Sequence, residues 1–165
     1  IIPTGTVHSL LLDSGRVLSS VFAITQYLEA LNPARPLLGS TAEERALVLD
    51  WNHRLFNEVF RPTGDIFRNT NPAFAGRALP GALDLEQIPA LAERGKAQLL
   101  FALTVLNNEL ATRKFVAGDA FTMADIDLLA LLHFAGWATK TKPEDAMTGL
   151  HAWRERAQAT LDGTA

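Results

Sequence analysis

The chain has 165 residues, 48% of them hydrophobic and 20% charged, with a formal net charge of −3. That length suffices for one well-buried core, and with no cluster of Lys and Arg there is no basic face for nucleic acid. The absence of cysteine excludes disulfides, zinc–thiolate sites and a cysteine nucleophile, and no apolar run of transmembrane length or signal-peptide pattern occurs.

Residues 1–20 read as a short hairpin. Val7, Leu10, Leu11 and Leu12 form an apolar run, Asp13-Ser14-Gly15 is turn chemistry, and Val17-Leu18 resumes the strand. Val21, Ile24, Leu28 and Leu31 then recur at helical spacing. Ser19 or Ser20 is available as a cap, and Asn32-Pro33 is a stop. A two-stranded hairpin is marginal in water, and nothing later reads as a third strand. The sequence therefore predicts a further segment or a partner that completes the sheet. Ile1 stands where a gene product has methionine, so the gene is expected to begin elsewhere.

Residues 34–40, with Pro33 before them and Pro36 and Gly39 within, read as a linker. Thr41 and Glu44 make a capping box for a helix that places Leu47, Val48, Trp51, Leu55 and Val59 on one face. Pro62 and Gly64 are expected to end it near Arg61. Residues 65–84 are rich in Gly, Pro and Asn and predict a folded loop, pinned to the core by Phe67 and Phe74. A third long helix is expected over about 85–112, with Pro89 tolerated in its first turn. Its stripe is Ile88, Leu91, Gly95, Leu99, Ala102, Leu103, Leu106 and Leu110.

Residues 118–137 open with a second capping box. The Thr122 hydroxyl is placed to accept from the N–H of residue 125, and the Asp125 carboxylate to accept from that of residue 122. Phe121 and Ile126 sit at the positions of a hydrophobic staple. The helix after this box is apolar on nearly every side, which predicts a core helix covered by others. A terminal helix is expected over about 150–161, with Trp153 and Ala157 inward.

The run Gly118-Asp119-Ala120-Phe121-Thr122-Met123-Ala124-Asp125 resembles the G-D-x-F-T-x-A-D box of the C-terminal domain of glutathione transferases. Residues 2–18 are similar to the hairpin that ends the family's thioredoxin-like domain. Residues 19–39, with Ala23-Ile24, Tyr27-Leu28-Glu29 and Pro36-Leu37-Leu38-Gly39, are similar to its last helix and linker. The resemblance, to the bacterial type, implies a mainly α chain. Residues 1–35 would be a ββα remnant of the thioredoxin-like domain and 41–165 an all-helical C-terminal domain.

The resemblance also implies an activity, the attack of the glutathione thiolate on a small hydrophobic electrophile. Glutathione is then a co-substrate, and no other cofactor or metal is implied. A homodimer in the cytoplasm is implied as well, with neither nucleic acid nor membrane as partner. The departures fall on the glutathione site. The family's thiolate-stabilising Tyr, Ser or Cys lies in an opening β-α-β-α segment that these residues do not contain, so the catalytic residue is unknown.

The family's cis-proline position, after the residue matching Val7, is His8, and a cis bond there would cost roughly 3–4 kcal/mol. Either the bond is trans and that backbone recognition is lost, or strain is retained. The family's Glu/Gln-Ser pair aligns with Ser20 and Val21. A one-residue slip would restore the serine but misplace the Ala-Ile and Tyr-Leu-Glu matches. Val7, His8, Ser20 and Val21 are thus the family's glutathione positions, mostly without its side chains.

Arg61 and Trp137 are candidates for the electrophile pocket, with Arg68 and Arg77 near the same loop, although core burial is the default for Trp51, Trp137 and Trp153. His8 could shuttle protons near neutral pH or simply be a partly exposed strand residue. His53, His133 and His151 show no metal-ligand spacing. Capping accounts for Asp125, and Asp127 either does structural duty or faces solvent. Three readings remain open: a transferase, a non-catalytic association module with a degraded glutathione site, and an unrelated helical bundle.

Overall fold

The computed structural model describes residues 8–34 and 36–163. Strand β1 (Leu10–Leu11) pairs antiparallel with β2 (Val17–Leu18), Leu10 opposite Leu18 and Leu11 opposite Val17. The turn is closed by the Leu12 N–H on the Arg16 carbonyl at 2.8 Å, with Gly15 at a φ of +78° that favours glycine. Val7 lies outside the described residues. Helix α1 (Val21–Leu31) comes next, and the Glu29 carboxylate near its end accepts the N–H groups of Leu37 and Leu38 at 2.7 and 2.9 Å. The linker is therefore held by a side chain rather than left free.

Helix α2 (Ala42–Leu55) begins at the expected Thr41–Glu44 capping box. Val48, Trp51, Leu55 and Val59 are buried, but Leu47, expected on the same face, is 43% exposed. The predicted stop at Pro62 does not occur. The helix widens into a π turn (Phe56–Phe60), in which the Arg61 N–H reaches back five residues to the Phe56 carbonyl. It then continues as α3 (Arg61–Thr70) through Pro62 and Gly64. Proline breaks a helix because it lacks the N–H and crowds the carbonyl one turn earlier. The wider π turn gives the ring that room.

Residues 71–88 form the connection, including a 3₁₀ turn at Pro72–Phe74. Helix α4 (Pro89–Leu110) starts at the proline, four residues later than expected, because the stretch before it is extended: the Ala78 N–H bonds the Leu85 carbonyl at 2.8 Å. Buried Asn69 holds the junction by accepting the Ile88 N–H at 2.8 Å. Ile88 itself is exposed, whereas Gly95 through Leu110 follow the predicted stripe.

Helix α4 is flanked by α3 and by α6 (Thr148–Leu161), and α5 (Met123–Thr139) packs on α2, α3 and α6. Two glycines let α4 approach its neighbours. A Cβ on Gly95 would lie 2.7 Å from the Pro62 carbonyl oxygen, and one on Gly149 of α6 would lie 2.5 Å from that of Asn107. The Asn107 side chain accepts the N–H groups of Gly149 and Leu150 at 3.0 and 3.2 Å. It thus caps α6 from another helix, since Met147 makes no side-chain cap.

The Thr122–Asp125 capping box opens α5 as expected. Phe121 and Ile126 are both half-buried, and Phe121 meets Phe115 edge-on at 5.6 Å. Trp51 and Trp153 are core residues, 4% and 0% exposed, but Trp137 is 61% exposed. The reason is angular: two residues beyond buried Ala135 is about 200° around the helix. Among the described residues, no helix is long and apolar enough to cross a membrane.

Gly95→Ala sets helix propensity against packing. Alanine is favoured in a helix by about 1 kcal/mol, but overpacking against a neighbouring backbone costs about 1–3 kcal/mol. A net loss of stability in urea denaturation is expected, and a gain would show that α3 and α4 can separate freely.

Candidate functional site

Of the four predicted glutathione positions, His8, Ser20 and Val21 fall within the described residues, before β1 and at the start of α1. His8 is exposed, Ser20 is the boundary residue before α1 with no side-chain cap bond, and Val21 is 47% exposed. No acidic residue lies in the first turn of α1, so the helix start would favour an anion, with only the Ser20 hydroxyl to add a directed hydrogen bond.

Arg61 and Trp137 lie on the helical core. A cavity of about 950 Å³ opens between α3, the loop before α4 and the first turns of α4, with Phe134 of α5 at one side. Its apolar lining includes Phe60, Phe67, Phe134, Leu85 and Leu91, and Arg61 and Arg68 are among its charged groups. Trp137 is outside the lining but packs against it, 5.3 Å from Phe67 and 6.2 Å from Phe134. The rings are linked further: Phe60 to Phe134 at 5.9 Å, Phe67 to Phe134 at 6.0 Å and Phe67 to Phe74 at 5.1 Å.

Such a cavity can accept a flat apolar molecule by burial and edge-on ring contact. Phe60 and Phe134 escape a reading based on apolar stripes because both lie off the buried faces of their helices. Phe60 belongs to a recurrence of Phe at 56, 60, 67 and 74, whereas Phe134 has no comparable signal.

The π turn sets the angle at which Phe60 and Arg61 leave the helix, since one extra residue per turn rotates every later side chain by about 100°. Arg68 and Arg77 both lie over the Phe74 ring, at 4.6 and 5.8 Å. Among the described residues, no hydrogen bond, ion pair or ring contact joins the Arg61–Trp137 group to His8, Ser20 or Val21. A smaller cavity of about 400 Å³ lies at the linker and includes Glu44, whose carboxylate already accepts the Ser40 and Thr41 N–H groups. Those bonds hold Glu44 below the usual carboxylate range.

Asp125 is fully buried and satisfied by protein donors, so it is structural. Asp127 is different. It is half-buried, faces α2 and accepts from the Asn52 amide at 2.8 Å. Burial pushes its carboxyl above the usual range, and the Asn52 bond opposes that only in part. This pairing joins residues far apart in the chain and has no local signature. No cluster of metal-ligating side chains occurs among the described residues.

Residues 72–159 match the family described as glutathione S-transferase, C-terminal domain. The chain is 32% identical over 155 residues to glutathione S-transferase 2 of Saccharomyces cerevisiae, covering 94% of this chain and 64% of that protein. A crystal structure of a glutathione S-transferase domain-containing protein of Marinobacter aquaeolei VT8 superposes with a TM-score of 0.82. Its identity is 31%, covering 97% of this chain and 75% of that one. Elongation factor 1-gamma of Schizosaccharomyces pombe is 36% identical over 128 residues, covering 78% of this chain but 29% of that protein. The chain thus spans less than two thirds of the length of these two curated relatives.

The raised affinity of folded Asp127 for its proton fixes the sign of its pH dependence. Its contribution to stability is full below about pH 3.9, the unfolded value, and is lost as pH rises through the raised folded value. Asp127→Asn keeps an acceptor for Asn52 and removes the charge. Its melting temperature at pH 7 should rise and its curve should flatten through the acid range. A lower melting temperature at pH 7 would mean that the charged bond to Asn52 outweighs burial.

Proposed function

Because the chain belongs to the glutathione S-transferase family, we propose that it conjugates the thiolate of glutathione to small apolar electrophiles. The observation that carries this reading is the aromatic cavity bordered by Arg61, large enough for a drug-sized molecule. In the reaction the sulfur attacks the electrophilic carbon, an S–C bond forms, and a leaving group departs or the adduct takes up a proton. The chain would contribute proximity and a dry apolar wall. The group that stabilises the thiolate is assigned to no residue of this chain.

In this reading residues 1–35 belong to a thioredoxin-like unit and 41–165 to the helical domain. Val7, His8, Ser20 and Val21 stand at the glutathione side, and Arg61 and Trp137 at the electrophile side. The protein would act as a homodimer in the cytoplasm, a compartment that suits a chain without cysteine.

The second reading is a glutathione transferase fold used for association rather than chemistry. It is favoured by His8 in place of proline, by Ser20 and Val21 in place of the polar pair, and by the similarity to elongation factor 1-gamma. Retention of the full gene product on immobilised glutathione and its turnover of 1-chloro-2,4-dinitrobenzene separate the two. Retention with saturable turnover is the expected result. Neither retention nor turnover would overturn the transferase reading in favour of the association module.

A further inference from the structure

We propose that residues 79–84 are a flap that folds over the aromatic cavity once an apolar molecule occupies it, laying Leu83 on the exposed rings of the rim. This rests on the reading of that cavity as a ligand site. It adds how the site closes and what its reopening controls.

Both ends of the connection between α3 and α4 are fastened. At one end the Arg77 N–H bonds the Phe74 carbonyl at 3.0 Å, and Ala78 is buried. At the other the Gln87 amide donates to the carbonyls of Arg68 and Asn71 at 2.7 and 2.8 Å, and Asn69 holds Ile88. The Ala78 N–H on the Leu85 carbonyl at 2.8 Å draws the two ends into a neck. Among the described residues, nothing beyond that neck, from 79 to 84, makes a hydrogen bond or ion pair with the rest of the chain. A loop with a fixed neck and an untethered tip can move as a unit at small cost.

The composition of the tip is at odds with permanent exposure. Leu79 is 50% and Leu83 67% exposed, and Pro80 and Ala82 are exposed between them. Loop tips that stay in water are ordinarily small and polar. The rim of the cavity has the same excess of apolar surface, with Phe60 41% and Trp137 61% exposed.

Leu79, Pro80 and Gly81 share the cavity lining with Phe60 and Phe134, whereas Leu83 lies outside it. An inward fold of the tip, bent at Gly81 with its φ of +112°, takes Leu83 and the rim rings out of water together, the direction that apolar burial favours. Over an empty space of about 950 Å³ the closed tip would lack contacts on its inner side. An apolar occupant supplies them. Closure then keeps water from the reacting atoms and makes release wait on reopening.

The test uses the full gene product and the neutral probe N-phenyl-1-naphthylamine, whose fluorescence rises in apolar surroundings and reports occupancy without turnover. With the probe saturating, backbone hydrogen exchange over residues 79–84 is expected to slow by at least about threefold, while the hairpin turn at residues 13–16 is unchanged. Leu83→Ser should speed dissociation of the probe about 5- to 10-fold in stopped flow and leave its association within about twofold. A static cavity predicts no effect of that change, because Leu83 is not in its lining. Leu161→Ser, at the exposed end of α6, should alter neither rate. Probe binding with unchanged exchange at 79–84, or unchanged dissociation in Leu83→Ser, would overturn the flap and leave the ligand site standing. No rise in fluorescence would overturn the ligand site and the flap with it.

Discussion

A single buried carboxylate holds the helical part of this chain in register. Asp125 Oδ1 accepts the Val116 N–H at 2.9 Å and the Trp153 indole N–H at 2.8 Å, while Oδ2 accepts the Thr122 N–H at 3.0 Å and the Thr122 hydroxyl at 3.3 Å. The carboxylate therefore ties together the turn before α5, the first turn of α5 and the middle of α6. A charge with no exposed surface is tolerable only when its acceptor capacity is used, because burying it unpaired costs far more than one hydrogen bond returns. Side-chain identity and spacing act together here: the Trp153 indole N–H reaches the carboxylate while its ring fills the core.

From that anchor the chain builds outward to the candidate site. The N-terminal end of α5 is fixed by Asp125 and by the Met123 N–H on the Leu37 carbonyl at 2.8 Å. Leu37 is in turn held by Glu29 of α1. The helix then runs on to Phe134 and Trp137, which meet the rings presented by the π turn and α3. The α2–α3 run is braced on the other side by Arg54, which pairs with Glu58 and Glu109, each at 3.3 Å, and lies 4.1 Å over the Trp51 ring. Helix α1, the linker and the start of α5 are thus joined by directed bonds, and α5 carries the connection on to the aromatic cavity through ring contacts.

The features legible in the sequence are those that depend on neighbours along the chain. Both capping boxes and the stop at Asn32-Pro33 are local chemistry, and the burial of Trp51, Trp153 and most of the α4 stripe comes from helical period. The family is readable from the box at residues 118–125 for the same reason. Pro62 misleads because proline is a helix breaker only when the preceding turn stays α. The π turn that admits it has no distinctive residues. Trp137 misleads because apolar character says nothing about which side of a short bundle faces water. The Asp125–Trp153, Asn52–Asp127 and Asn107–Gly149 pairings are hidden because they cross between elements. Of the candidate site, Arg61 and Trp137 can be named from resemblance, while Phe60 and Phe134 emerge only when α3 and α5 are set side by side.

The dependence of the helical core on one carboxylate is measurable by a double-mutant cycle on Asp125→Ala and Trp153→Phe, with stability read by urea denaturation. If the indole–carboxylate bond couples α6 to the start of α5, the two changes together should cost less than their sum by about 1–3 kcal/mol. Losses that add to within about 0.5 kcal/mol would contradict the account, since each side chain would then be acting without the other.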